Sequence, residues 1–287
     1  MSTQKSKGKP IPILKWIGGK RQLLGEILSR LPVHYERYFE PFFGGGAALL
    51  AIAPKRAVIN DLNCELINLY RVVKENPQEL IALLETYPNS EEFYYYLRDL
   101  DLDKTAFSTM SPVQRAARTV YLNRTCFNGV YRVNREGHFN VPYAGLKSPN
   151  IVRKAEIMAM HQYFKENDIV MRCGDFEKAV QDAKPGDFVY FDPPYDPLPG
   201  QSSFVGYTEE SFPDSSLRRL VRVCDALSAK GVQIMVSNSA TDKVRKLFSD
   251  ERYHIVTVQA KRFVNSKADQ RGAIDEFIIT NYEVDKV

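Results

Sequence analysis

Apolar positions along the chain follow two rhythms. Short runs dense in β-branched and aromatic residues recur at RYFEPF, AVIND, DIVMRCGD, DFVYFDPPY, GVQIMVSNS, YHIVTVQA and DEFIITNY, and each predicts a buried strand. Between several of them the period lengthens to that of a helix. In SLRRLVRVCDALSAK, for example, Leu217, Leu220, Val221, Cys224 and Leu227 share one face. Strands alternating with helices predict an α/β fold, a doubly wound and mostly parallel sheet with helices on both faces. The last two strands, with only a loop between them, are expected to pair antiparallel.

The stretch from 64 to 165 breaks this rhythm. CELINLYRVVKEN, PQELIALLETY, EEFYYYLRDL and PVQRAARTVYLNRTCF read as helices. NGVYRVNREGHFNVPY, punctuated by Asn128-Gly129 and by Arg135-Glu136-Gly137, reads as a hairpin. The expected organisation is a disordered basic tail over 1–10, a main domain over 11–63 and 166–287, and an inserted second domain over 64–165.

Composition narrows the class only slightly. With 44% hydrophobic and 26% charged residues the 287-residue chain has the balance of a soluble globular protein. No apolar run is long enough for a membrane span, and the polar start MSTQKSKGKP is not a secretory leader. Cys64, Cys126, Cys173 and Cys224 stand far apart with no CxxC pair, and the four histidines are scattered. Neither a disulfide framework nor a zinc site is suggested, so a cytosolic, metal-free protein is expected.

The net charge of +4 names no partner, but its distribution is uneven. Nine Asp/Glu against four Lys/Arg between Cys64 and Ser111 give a net of −5. Eight Lys/Arg against Glu136 alone between Arg115 and Lys154 give a net of +7. That basic block interleaves Tyr121, Phe127, Tyr131, Phe139 and Tyr143 with Asn123, Asn128, Asn134 and Asn140, a mixture suited to phosphates and base edges.

Two stretches carry candidate chemistry. In DFVYFDPPYDP, the apolar run 188–191 must stop near Asp192, because Pro193 and Pro194 cannot continue a central strand. A carboxylate and the ring of Tyr195 are then presented at a strand's carboxyl end, where open α/β sheets bind ligands. In FEPFFGGGAALLA, Gly44, Gly45 and Gly46 let backbone approach a ligand where a strand gives way to a helix. Asp61 closes the next strand, placed to accept from ribose hydroxyls. The glycines do not match G-x-G-x-x-G, so a nucleoside-type cofactor without a pyrophosphate fits better than a dinucleotide.

FEPFFGGGA, VIND, CGDF and DPPY, in that order, resemble the S-adenosylmethionine-dependent DNA adenine methyltransferases. LKWIGGKR at 14–21 is similar to the N-terminal motif of the Dam-type group (D12 class, alpha group), and NRTCFNGVYRVNREGHFNVPY at 123–143 to the target-recognition hairpin of the GATC methylases. The resemblance spans Ile13 to Tyr282. It implies a seven-stranded, Rossmann-like sheet with an inserted helical and β-hairpin DNA-recognition domain. The implied activity moves a methyl group from S-adenosylmethionine to the exocyclic amino group of a flipped-out adenine in duplex DNA, within GATC, in the cytoplasm and as a monomer on DNA.

The same resemblance implies roles for particular residues. The cofactor would be held by Trp16, Gly18, Gly19 and Lys20, by Glu40, Pro41, Phe42 and Gly44, by Asp61 on the ribose, by Asp175 and Phe176 flanking the adenine, and by Asp192. Asp192, Pro193, Pro194 and Tyr195 would form the catalytic tetrapeptide. Asn128, Val130 and Arg132 would meet the bases, with Asn134 beside them and Lys15 on the second guanine of a palindrome. Arg115, Arg118, Arg124 and Lys147 would contact phosphates. Val130 stands where many relatives carry leucine, and AGLKSPN after the hairpin departs from the common loop. Related protein-glutamine enzymes carry Asn, and cytosine-amino enzymes usually Ser, where Asp192 stands. The tetrapeptide alone leaves an RNA adenine open. A DNA-binding module that had lost catalysis would carry a degraded tetrapeptide or glycine turn, and both are intact.

Overall fold

The computed structural model describes residues 10–16, 20, 22–134, 136–196, 212–261 and 273–284. Gly18 and Gly19 of the N-terminal motif, and nearly all of the expected tail, lie outside the described residues. The strands are β1 (Tyr38–Glu40), β2 (Arg56–Asp61), β3 (Asp168–Cys173), β4 (Phe188–Phe191), β5 (Gln233–Ser239), β6 (His254–Lys261) and β7 (Ala273–Thr280). The helices are α1 (Leu24–Leu28), α2 (Ala47–Ile52), α3 (Cys64–Glu75), α4 (Pro77–Glu85), α5 (Glu91–Asp99), α6 (Lys104–Thr109), α7 (Pro112–Thr125), α8 (Lys154–Glu166), α9 (Phe176–Ala179), α10 (Asp214–Ala229) and α11 (Asp242–Leu247).

All seven expected strands form one sheet in the order β3-β2-β1-β4-β5-β7-β6. β7 runs antiparallel to both β5 and β6, and the other pairings are parallel. The chain winds outward from β1 through β2 to β3, then returns to lay β4 against the other side of β1. The order therefore reverses between β1 and β4, and a crevice opens at their carboxyl ends.

Side-chain alternation on the strands fills two cores. Tyr38, Phe188, Tyr190 and Met235 enter one; Phe39, Val189, Phe191, Ile234 and Val236 enter the other. A sheet buried on both faces accounts for the unbroken apolar run FVYF in β4, all four residues of which are buried. The first core takes in α1 to α5, α7 and α8, and the second α9, α10 and α11. On α10 the inward face is Leu217, Leu220, Val223, Cys224 and Leu227; Val221 is half-buried.

The residues between β2 and β3 are thus an enlarged crossover whose helices share the core of the sheet. Local chemistry sets their limits. The Asn63 side chain caps α3 by accepting from the Glu65 and Leu66 N–H groups. Ser111 and Gln114 form a reciprocal capping box on α7, with Pro112 in its first turn. The expected hairpin keeps its course but not its ladder. Among the described residues, the isolated bridges Cys126–Tyr143 and Val133–Phe139 pair its two sides. Its tip is closed instead by Asn134, whose Oδ1 accepts from the Glu136 and His138 N–H groups.

The cysteines correct the sequence reading. Cys64 and Cys173 are joined by a disulfide, with Cα atoms 5.4 Å apart across a separation of 109 residues. The parallel register sets Cys173 beside Asp61, and Cys64 opens α3 three residues later. The pairing follows from strand order, which cysteine spacing cannot reveal. Denatured without reductant, the oxidised protein is expected to show the thiols of Cys126 and Cys224 only; a Cys64→Ser variant should expose one more, that of Cys173. A chromogenic thiol titration reads both.

Candidate active site at the switch point

The glycine turn joins β1 to α2. Gly44 and Gly46 adopt φ of +51° and +71°, a region costly to any residue with a Cβ. The turn is also pressed against Trp16: a Cβ at Gly44 would stand 2.9 Å from Trp16 Nε1. The indole also stacks on Tyr131, at 5.3 Å and 27°. Trp16 therefore forms a wall between the glycine turn and the hairpin.

Asp61 closes the turn from below. Its Oδ2 accepts from Gly44 N–H at 2.8 Å, and its Oδ1 accepts from Asn63 N–H at 2.9 Å. Burial raises its carboxyl above the usual range, and these backbone donors oppose that rise. Glu40 lies deeper, its Oε2 accepting from Tyr38 Oη and from Leu49 N–H. Burial pushes it well above the carboxylate range, and the nearby charges of Asp192 and Asp61 act in the same direction. Buried Asn60 donates to the carbonyls of Pro41 and Gly174, fixing the glycine turn to the loop after β3.

That loop carries Asp175, which caps α9 and pairs with Arg219. Phe176 is buried in the second core, stacked on Phe42 at 5.1 Å. Beside it, Gly174 (φ +144°) has open space where a side chain would stand.

Across the crevice is the loop after β4. The Asp192 side chain is 18% exposed, with Oδ1 2.9 Å from Lys20 Nζ. Desolvation pushes its carboxyl up to about 6; Lys20 opposes the rise and Glu276 adds to it. Pro193 is buried and Pro194 exposed. Lys20 Nζ also stands 3.9 Å above the centroid of the Tyr195 ring. The Tyr195 hydroxyl donates to Glu276 Oε2 at 2.7 Å. Asp196 anchors the loop's far side: its N–H donates to Asn238 Oδ1, and its carboxylate accepts from Thr241 and Lys243.

Sequence reasoning missed these supports: Asn60, Asp196, Asn238, Lys243 and Glu276. The signal that could have found two of them is SNS at the end of the strand beside β4 and the second acid of DPPYD.

The residues expected at DNA divide into two sets. Lys15, Asn128 and Val130 come together: Asn123 Oδ1 accepts from Lys15 N–H, and Asn123 Nδ2 donates to the carbonyls of Lys15 and Gly129. Asn128 adopts φ +56° and is exposed, next to Phe127, which is 57% exposed. Arg132 is exposed, steadied by Nε donating to Asn140 Oδ1 at 2.7 Å; Lys147 is exposed as well. Asn134 holds the hairpin tip, as described above.

Of the other arginines Arg118 is buried, and Arg115 and Arg124 are half-buried. Arg118, expected on phosphates, is 5% exposed; it donates to the carbonyls of Leu97 and Arg98 and pairs with Asp101 at 2.7 Å. Arg115 pairs with Glu65 at 3.1 Å, and Arg124 Nε donates to the Asn150 carbonyl. The reason is electrostatic: part of the basic block neutralises the acidic block that precedes it.

Comparison with known proteins agrees with this arrangement. The family model of the D12 class N6 adenine-specific DNA methyltransferases matches residues 16–264. The chain is 47% identical over 281 residues to the Type II methyltransferase M1.LlaDCHI of Lactococcus lactis subsp. cremoris, covering 97% of this chain and 98% of that one. It is 39% identical to the Type II methyltransferase M.MjaIII of Methanocaldococcus jannaschii, over 94% and 99% of the two chains. With the DNA adenine methylase of Escherichia coli K12 the identity is 31%, over 92% and 93%. An acid-and-tyrosine loop at the switch point, a glycine turn beside it and a family match along most of the chain lead to one conclusion: this protein belongs to the D12 class of N6 adenine-specific DNA methyltransferases.

Proposed function

We propose that the enzyme methylates adenine in duplex DNA within GATC, with S-adenosylmethionine as donor, by drawing the target base out of the helix into the crevice between β1 and β4. What supports this most is the way Lys20 already meets the pocket. Its ammonium pairs with Asp192 Oδ1 at 2.9 Å while lying over the Tyr195 ring. An adenine stacked on that ring would offer its amino group to the same carboxylate. Pro193, stiffened between Asp192 and Pro194, supplies a carbonyl as second acceptor.

The amino nitrogen of adenine is a weak nucleophile because its lone pair is delocalised into the ring. Two acceptors at fixed angles favour a pyramidal nitrogen with its lone pair free for attack. This is positioning and electrostatic preorganisation more than proton removal. Extrusion of the base costs a few kcal/mol, offset by stacking and edge contacts.

The residues present fit S-adenosylmethionine. Space stands open at Gly174, between Asp61 and Asp175, and the carboxylates of Asp61 and Asp192 suit a cationic donor. The donor supplies a methyl group activated on a sulfonium sulfur. Asp61 and Asp175 bind and orient it, and Trp16 walls the pocket. The segment 64–165 serves as the recognition domain, and the enzyme works in the cytoplasm as a monomer on DNA. Among the described residues no helix is long and apolar enough to cross a membrane.

Lys15, Asn128, Val130 and Arg132 read the site. Arg132→Ala should reduce discrimination at one guanine by about 1–3 kcal/mol, roughly 5–150-fold. An unchanged preference over single-substituted duplexes would remove Arg132 from recognition. Asp192 must be ionised to accept from the base. With its carboxyl at about 6, kcat/KM should be flat above neutrality and fall as pH drops through that value. A limb centred near 4 would contradict this.

The deciding experiment offers S-adenosylmethionine and two unmethylated duplexes, one with GATC and one scrambled, and quantifies N6-methyladenine after digestion to nucleosides. Product in the GATC duplex alone supports the reading. Product in both removes the GATC assignment, and product only in an RNA of the same sequence removes the duplex DNA substrate.

A further inference from the structure

Tyr195 follows the stiff pair Pro193-Pro194 in the loop after β4. A contact that fixes the plane of its ring comes from the sheet on the same side of the crevice, two strands beyond β4. Glu276 lies on β7, the strand that reverses the sheet, between Ser239 of β5 and Val258 of β6. Its Oε2 accepts the Tyr195 hydroxyl proton at 2.7 Å. The phenol is thereby held at its tip as well as at its backbone, and the face toward Lys20 becomes a fixed platform. A tyrosine left to rotate would lose rotamer freedom each time a base stacked on it.

We propose that Glu276 is a positioning residue for methyl transfer, holding the Tyr195 ring in the plane on which the target base stacks. The proposal rests on the base-pocket reading above. Glu276 touches neither donor nor base in this arrangement; it acts through Tyr195. Its carboxylate has a second effect. The charged and titratable groups around Asp192 are Lys20 from the N-terminal segment, Glu40 on β1, Tyr190 on β4, Tyr195 in the loop and Glu276 on β7. Of the carboxylates, Glu276 pushes the Asp192 carboxyl upward. Removing its charge while keeping an acceptor should therefore lower the pH at which activity is lost.

Four variants and a pH series test this. Glu276→Leu and Tyr195→Phe, assayed on a duplex that the wild type methylates, should each lower kcat/KM by about tenfold, and the double variant should be no worse than either. Glu276→Gln should recover most of the loss, with its acidic limb moved to lower pH. Losses that multiply in the double variant, or a glutamine variant as poor as the leucine one, overturn the role of Glu276. The pocket reading is tested separately by Asp192→Asn: wild-type turnover there overturns that reading and this proposal with it, whereas an inactive Asp192→Asn beside additive Glu276 and Tyr195 effects overturns only the proposal. Thermal melts of all five variants within a few degrees of the wild type confine the comparison to folded protein.

Discussion

Asp192→Asn is expected to lower kcat by about 10²–10³-fold while DNA and methyl donor still bind. The substitution keeps the shape of the side chain and one acceptor oxygen, so Lys20 retains a partner and the loop after β4 retains its anchor at Asp196. What is lost is the negative charge, together with an acceptor aimed at the amino group of the base, where positive charge develops as the methyl group arrives. A hydrogen-bond contribution realised mainly in the transition state appears in kcat more than in KM. Single-turnover methylation, with parallel measurements of DNA and donor affinity, separates the outcomes. A large rise in KM with kcat intact would recast Asp192 as a binding group. Undiminished turnover would remove it from the chemistry.

Arg118→Ala should cost about 3–5 kcal/mol of stability and leave the salt dependence of DNA binding unchanged. Truncation strands the Asp101 carboxylate in a largely enclosed site and removes the donors to the carbonyls of Leu97 and Arg98. A buried charge deprived of its partner is among the few single changes able to exceed 3 kcal/mol. The melting temperature should drop by of the order of 10 °C. The salt slope of DNA affinity, measured below that transition, should match the wild type. A normal melting temperature with a shallower slope would return Arg118 to the phosphates.

Arg118 also marks where sequence stopped being a guide. The strands were legible because each is a short apolar run ended by a breaker or an acid, and FVYF before Asp192-Pro193-Pro194 is the clearest. The glycine turn and the acid-and-tyrosine loop were legible because their residues are rare in that combination. Charge was legible only in one dimension. The acidic and basic blocks look like two surfaces along the chain, but in the fold Glu65 meets Arg115, Asp101 meets Arg118 and Glu85 approaches Lys154. The Cys64–Cys173 bond and the Tyr195–Glu276 hydrogen bond escaped for the same reason: each joins neighbours in space that lie 109 and 81 residues apart. Helix α8 escaped because KAEIMAMHQYFKE mixes its apolar and polar positions without a clean stripe.

One side chain described earlier joins the two halves of the task. Asn123 holds the backbone of Lys15 and the carbonyl of Gly129 in a single grip, and the next residue, Trp16, is pressed between Tyr131 and the glycine turn. The turn proposed to meet the bases and the indole proposed to wall the donor pocket therefore share one fastening. Were a ligand at one to displace the other, the linkage between the two affinities would be reciprocal. By whatever factor the correct site tightens the hold on the donor, the donor tightens the hold on the correct site. On the proposed function, a single asparagine thus ties the place where the sequence is read to the place where the mark is made ready.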